Sequence, residues 1–134
     1  IGAKLLIESL KIIESNNLKY IDQNHSKATY AKKIKKDETK INWNLEANKV
    51  LAHIHGLSPN PGAWFEYEKE RFKVLKAKIN SINGTPGFVL DENLIIACKS
   101  NSIQILELQR GGKNKQTIKE FLFGKKISIN TNLN

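Results

Sequence analysis

The stretch that decides the fold runs from Leu51 to Ile79 and reads LAHIHGLSPNPGAWFEYEKERFKVLKAKI. Its first part has the apolar spacing of a helix, and its last part alternates apolar with basic residues. Between them lies Ser58-Pro59-Asn60-Pro61-Gly62. Proline cannot continue a helix and favours extended backbone in the residue before it. We therefore expect the helix to end before Pro59 and the prolines to hold the following chain extended. The stretch therefore predicts a helix that leads into a strand.

The strand predicted over residues 71–79 is irregular. Phe72 and Val74 share one parity of the alternation, whereas the apolar residues 75, 77 and 79 share the other. A β-bulge between Val74 and Leu75 produces such a slip, and small barrels need bent strands of this kind. With the bulge in place, the outer face of the strand carries these cations: Arg71, Lys73, Lys76 and Lys78.

Apolar periodicity predicts helices over residues 3–15, 45–56 and 118–123. The second begins after Asn44 as N-cap and ends at Gly56, and the third begins with the capping box Thr117-x-x-Glu120 and ends at Gly124. The last residues, 130–134, are expected to be frayed.

Short apolar runs separated by turn residues predict about five strands, over residues 64–67, 71–79, 87–90, 94–99 and 103–108. The pattern indicates an α+β chain that is mainly β, built as a small antiparallel barrel or sandwich with a helix and a basic linker before it and short flanking helices.

Composition narrows the function classes. The chain has 134 residues and a formal net charge of +9, and it contains no methionine, so we expect a piece of a longer protein. No apolar run approaches the about 18 residues of a membrane span. Because Cys98 is the single cysteine, no internal disulfide can form, which favours a reducing cytoplasmic compartment. Cys98 follows an apolar run that is typical of a buried strand.

No catalytic or metal-binding constellation stands out. His53 and His55 are two apart on a predicted helix and point to different sides, and no cysteine pair, HExxH or phosphate-loop pattern occurs. The alternating acids Glu66, Glu68 and Glu70 are interpreted as balancing the neighbouring cations. We therefore predict that this chain carries no catalytic residue and no metal.

The cations fall into three groups, within residues 32–40, 71–78 and 110–126. They form either one field facing a nucleic-acid backbone or dispersed solvated charge in a chain rich in Lys, Asn and Ile, and spacing alone leaves both open. Trp64 and Tyr67 are candidates for stacking on bases, but for Trp64 and Phe65, directly after a Pro-Gly turn, we favour a role as core anchors.

Four segments together carry a resemblance to a known family. They are residues 28–34 leading to Ile41-Asn42-Trp43; residues 54–64; the pieces Val74-Leu75-Lys76-Ala77, Pro86-Gly87 and Ile96-Ala97-Cys98; and residues 106–113 with Phe121-Leu122-x-Gly124. In this order they resemble the C-terminal region of the methionyl-tRNA formyltransferase family. The helix over residues 3–15 is similar to the last helix of that family's catalytic domain.

The resemblance implies a domain plan. Residues 1–17 would be the last helix of a missing N-terminal catalytic domain, residues 18–40 a basic linker, and residues 41–134 an OB-like C-terminal tRNA-binding domain. The family's transfer of formyl from 10-formyltetrahydrofolate to the methionyl amino group would take place on the missing domain, so this chain would bind no cofactor and be inactive alone.

The resemblance also implies partners. They are initiator Met-tRNA and the chain's own catalytic domain, with a monomer in the bacterial cytoplasm and no membrane. The residues expected to contact tRNA are Lys32, Lys33, Lys35, Lys36, Lys40, Arg71, Lys73, Lys76, Lys78, Arg110 and Lys113.

The sequence departs from the family pattern at a few positions. The family usually has Arg at His55, an aromatic residue at Asn60, Pro at Lys32 and a second Lys at Asn114. Two alternatives stay open: the C-terminal domain of another formyltransferase-family enzyme (sugar-nucleotide or formyltetrahydrofolate-using), and a free-standing OB-type RNA-binding module. The lysine groups count against the first, and the absent methionine and the first helix against the second.

Overall fold

The computed structural model describes residues 2–134, which divide into two compact units, residues 2–33 and 34–134. The first unit contains helix α1 (Gly2–Glu14), as the periodicity predicted, and a short 3-10 turn at His25–Lys27. No residue of α1 is buried, and its apolar side chains, Leu6 and Leu10 among them, are about half exposed.

The second unit is an antiparallel sheet with two helices. After a 3-10 turn (Asp37–Thr39), its elements are α2 (Ala47–Leu57), β1 (Ala63–Tyr67), β2 (Glu70–Asn80), β3 (Ile95–Ala97), β4 (Ser102–Arg110), β5 (Lys115–Thr117) and α3 (Ile118–Gly124). The strand order is β1-β2-β4-β3, and β5 also pairs with β4. The predicted α+β, mainly antiparallel class is confirmed. Within the described residues no ladder joins the edge strands β1 and β3, so the barrel is not closed.

The predicted bulge is present in β2. Val74 pairs with Leu108 and Lys76 with Glu107, which leaves Leu75 as the extra residue. The register then returns, because Ala77 pairs with Ile105. As predicted, the side chains of Lys76 and Lys78 lie outside the core. Ile79, placed on the inner parity from sequence, is 43% exposed because it lies near the end of the strand.

An aromatic cluster forms the centre of the core. Phe65 stacks on Phe72 with ring centroids 5.4 Å apart, Trp43 lies 6.3 Å from Phe65, and Phe121 of α3 meets Phe72 edge-on at 5.6 Å. Helix α2 packs on β2 through its buried face, which includes Ala47, Val50 and Ile54. These contacts fix β1 and β2 against both helices.

Both ends of α2 differ from the prediction. The helix begins at Ala47, and Glu46, not Asn44, is its N-cap. Its first amide is satisfied by a distant group, because Ala47 N donates to the Ser100 carbonyl at 3.2 Å. Gly56 lies inside the helix, which continues to Leu57.

The segment after α2 is a turn, not the extended stretch expected from its prolines. The Ser58 hydroxyl donates to the carbonyl of Leu75, the bulge residue, at 2.8 Å. This bond ties the turn to β2.

Two strands after β2 differ from the prediction: β5 is present although it was not predicted, and the strand predicted over residues 87–90 is absent. Residues 87–90 form only isolated bridges, Phe88 with Asn132 and Val89 with Ile96, whereas polar β5 pairs with β4. Helix α3 begins with the predicted capping box, in which Thr117 and Glu120 bond reciprocally. The expectation of a frayed end was wrong, because Leu133 is 1% exposed and its amide donates to the Gly87 carbonyl at 2.8 Å.

Candidate nucleic-acid interface

The outer face of the β1–β2 hairpin presents a tryptophan beside two cations. Trp64 faces Lys73 across the ladder, and the guanidinium carbon of Arg71 lies 4.2 Å from the centroid of the Trp64 ring. The indole Nε1 donates to the Thr39 hydroxyl at 2.9 Å. Trp64 is therefore half-buried at the surface rather than in the core, and only Phe65 is the buried anchor expected of this pair.

A shallow pocket of about 230 Å³ opens next to this stack. We call it the Trp64 pocket; it is lined by Lys36, Thr39, Pro61, Gly62, Trp64, Arg71 and Lys73. Its shape requires glycine at position 62, because the backbone there has φ +85° and a Cβ atom would lie 3.0 Å from Lys73 Cδ. The Pro-Gly pair in the sequence indicated the turn at this position. No local pattern indicated that Thr39 accepts a hydrogen bond from Trp64.

A second pocket, the Arg110 pocket, lies on the other side of the same two cations; it is lined by Arg71, Lys73, Gln109, Arg110, Gly111 and Gly112. Arg110 is held in a fork by Glu70, with Nε to Oε1 at 2.6 Å and Nη2 to Oε2 at 3.0 Å. The hydrogen bond from Arg110, with help from Lys125, lowers the pKa of the Glu70 carboxyl. The charge of Arg110 is thus largely compensated inside the protein.

Acids at the hairpin tip hold a second cation, Lys125. Its Nζ lies 2.9 Å from Glu68 Oε2 and 3.5 Å from Glu70 Oε2, and 5.3 Å from the Tyr67 ring centroid. Hydrogen bonding to Lys125 lowers the pKa of Glu68. Glu68 and Glu70 do balance cations, but these are Arg110 and Lys125, which are distant in sequence, and not the neighbouring basic run of β2 that the sequence suggested.

The structure distributes the remaining predicted contact residues over several places. Lys76 and Lys78 are exposed further along β2, with Lys76 Nζ 3.8 Å from Glu107 Oε1. Lys113 is exposed between β4 and β5, and Lys40 lies beside Asp37 and Asn42.

The linker lysines are also exposed. Lys35 belongs to the second unit, whereas Lys32 and Lys33 belong to the first. The second unit thus brings together Lys36, Arg71 and Lys73, with Arg110 adjoining.

Groups that could do chemistry are isolated. Over residues 2–134 no three His, Cys, Asp or Glu side chains converge as metal ligands. His53 Nε2 is buried with no hydrogen-bond partner, and His55 is exposed. Burial raises the pKa of the Cys98 thiol to about 11. None of the described helices has the length and apolar content to cross a membrane.

Comparison with known families decides the assignment. Residues 33–126, which include the whole hairpin and both pockets, match the formyl transferase, C-terminal domain. The chain belongs to this family. The resemblance found in its sequence segments is thereby confirmed.

Curated relatives of the chain include methionyl-tRNA formyltransferases. The chain is 43% identical over 128 residues to the methionyl-tRNA formyltransferase of Rhodopseudomonas palustris strain BisB18, covering 92% of the chain and 41% of the relative. The enzyme of that name from Pelagibacter ubique is 40% identical, with 95% and 41% covered. The chain spans about two fifths of the length of the curated relatives it matches.

Solved structures with the same fold include HypX from Aquifex aeolicus. One variant aligns with a TM-score of 0.70 at 19% identity, over 90% of this chain and 23% of HypX. HypX in complex with tetrahydrofolic acid aligns with a TM-score of 0.68 at 19% identity, over 89% of this chain and 22% of HypX. The chain and this part of HypX therefore share a fold at low sequence identity.

Proposed function

We propose that this chain is the C-terminal part of a methionyl-tRNA formyltransferase and that it holds initiator Met-tRNA. A catalytic domain outside the chain would transfer formyl from 10-formyltetrahydrofolate to the methionyl amino group. The domain plan stated above, contact with that catalytic domain, a monomeric state and a cytoplasmic location belong to the same proposal. The names of the relatives at 40–43% identity support it.

The observation that carries the RNA-binding role is the open row of cations on the outer face of β2. Arg71, Lys76 and Lys78 are exposed and Lys73 is half-buried, so their charged ends are accessible along one strand. Cations that neutralise phosphates release condensed counterions, and this release gives affinity without reading sequence. The chain would therefore grip the RNA backbone, while identity is read elsewhere in the enzyme.

The other predicted contacts take different weights in this proposal. Lys32, Lys33, Lys35, Lys36, Lys40 and Lys113 are exposed and would add phosphate contacts. Arg110 would add less, because Glu70 already occupies its fork.

Binding of the chain to initiator tRNA across a salt series tests the proposal. Between about 50 and about 200 mM salt, about five phosphate contacts give a log–log slope near −4, at about 0.7–0.9 per contact. Replacing Arg71, Lys73, Lys76 and Lys78 by Gln should remove most of that slope. The matched control replaces four exposed lysines away from β2, namely Lys49, Lys99, Lys119 and Lys126, and should keep most of it.

Two results would contradict the proposal. One is absent or salt-independent binding of the unaltered chain at about 50 mM salt. The other is an equal loss in both fourfold variants, which would mean that the charge acts diffusely and that β2 forms no binding face. An elongator tRNA should bind within about threefold of the initiator, because backbone contacts carry little sequence information.

A further inference from the structure

The Trp64 pocket differs from the rest of the basic surface in its charge. Three cationic side chains, those of Lys36, Arg71 and Lys73, line it, and no carboxylate does. Over residues 2–134, the cations in ion pairs within 4.0 Å are Lys76, Arg110 and Lys125, so none of the three is neutralised. Glu66 faces Arg71 across the ladder but forms no such pair. The pocket therefore concentrates uncompensated positive charge.

Hydrogen bonds and stacking hold the walls of this pocket in place. The Thr39 hydroxyl donates to the Lys36 carbonyl at 2.6 Å and accepts from Trp64 Nε1 at 2.9 Å. Trp64 in turn carries the guanidinium of Arg71 on its face. Thr39 and the indole N–H are thus already used, which leaves the cations as the groups available to a ligand. A guanidinium fixed by stacking presents its fork with little loss of rotamer entropy.

The neighbouring Arg110 pocket provides an internal comparison. It shares Arg71 and Lys73, but its third cation is bound bidentately by Glu70. An anion entering there would compete with that carboxylate, whereas an anion in the Trp64 pocket meets no acidic side chain in its lining. Of the two, the Trp64 pocket is the better anion site.

We propose that the Trp64 pocket is a binding site for a single phosphate group, with Arg71 as the bidentate donor and Lys36 and Lys73 as flanking cations. Planar guanidinium and phosphate oxygens match in such a fork, and lysines supply point charge. The source of the phosphate rests on the proposed function: it is one backbone phosphate of the bound tRNA, held at a fixed place in an otherwise diffuse interface. A free phosphate would share the chemistry.

The test titrates inorganic phosphate into the whole chain at constant ionic strength with chloride as background, followed by ¹H–¹⁵N NMR. We expect saturable shifts at the Trp64 indole, the Arg71 Nε and the Gly62 amide. Lys73→Gln should weaken the affinity about tenfold, the scale of one charged hydrogen bond. Arg71→Lys should do the same although it keeps the charge, because the fork and the stack are lost. The matched control, Lys78→Gln, removes one charge from the same strand but outside the pocket. It should change the phosphate affinity less than about twofold.

A second arm identifies the source of the phosphate by measuring initiator tRNA affinity of the same variants. If Lys73→Gln weakens tRNA binding by a factor at least about five times that of Lys78→Gln, the result supports a backbone phosphate in the pocket. Equal losses, with saturable phosphate shifts, overturn the RNA source and assign the pocket to a free phosphate. Shifts that grow without saturation, or that Lys73→Gln and Lys78→Gln reduce equally, overturn the pocket itself. The salt slope of tRNA binding then still decides the proposed function separately.

Discussion

At the scale of single residues, identical side chains take different roles according to the groups that they contact. Arg71 and Arg110 are both cations at the ends of strands, yet one stacks on Trp64 and the other is held by Glu70. Glu70 occupies the hydrogen-bond donors of Arg110, whereas the indole face leaves those of Arg71 free. The side chain that each arginine contacts therefore decides which of the two is available to a phosphate.

Cys98 provides a prediction at this scale. Its buried thiol has a pKa near 11, so at about pH 8 only about one molecule in a thousand carries the reactive thiolate. We expect a thiol reagent such as DTNB to leave the folded chain unlabelled over the time in which it labels the urea-unfolded chain completely, as followed by absorbance. Rapid stoichiometric labelling of the folded chain would show that the cysteine is accessible.

At the scale of elements, the C-terminal segment is held by both backbone and side chain. The Trp43 indole donates to the Leu133 carbonyl at 3.2 Å, and the Leu133 side chain belongs to the core. The Phe88–Asn132 bridge adds to this attachment. A segment that sequence composition marks as an ordinary polar end is therefore part of the fold.

We predict that Leu133→Ala lowers the free energy of unfolding by about 2–5 kcal/mol, the usual cost of emptying a buried leucine site. Ile129→Ala, in the same segment but 47% exposed, is the matched control and should cost less than about 1 kcal/mol. Urea denaturation of both variants measures the difference. Equal small effects would mean that the segment does not dock in solution.

At the scale of the folded second unit, one charge cluster joins three elements that are far apart in sequence. Glu70 at the start of β2 bonds Arg110 at the end of β4 and Lys125 after α3. The cluster takes Arg110 and Lys125 out of the basic field and leaves Arg71 and Lys73 facing outward. Acidic residues thereby shape the candidate binding surface.

The cluster predicts a pH dependence of stability. Because the folded-state pKa of Glu70 is lowered, its stabilising contribution is fully present above the unfolded value of about 4.3 and is lost as pH falls through the folded value. Glu70→Gln should therefore destabilise the chain at about pH 7, and the difference from the unaltered chain should shrink below about pH 4. Thermal unfolding at a series of pH values measures it.

The control for this experiment is Glu66→Gln, an exposed carboxylate on β1 that forms no ion pair in the described part of the chain. It should show little change at either pH. A difference between Glu70→Gln and the unaltered chain that stays constant down to about pH 2 would contradict ionic stabilisation.

Local patterns predicted much of the fold. The apolar face of α2, the bulge after Val74 and the capping box at Thr117 follow from periods and spacings within about ten residues, and each is present. Strand β5 was missed because Lys115–Thr117 has no apolar pattern and is a strand only by pairing with β4. The start of α2 was predicted too early, because the carbonyl of Ser100, and not a local side chain, accepts from its first amide.

By itself, the sequence determined the class of the fold, the order of most elements and the four cations of β2, because periodicity and charge are local properties of the chain. Only the tertiary structure decided which cations are available to a phosphate and how the segment around Leu133 is held in the core. The deciding bonds join Trp64 to Thr39, Arg110 to Glu70 and Trp43 to Leu133, across 25, 40 and 90 residues. No local pattern encodes pairings over such separations, because they exist only once the sheet has brought their partners together.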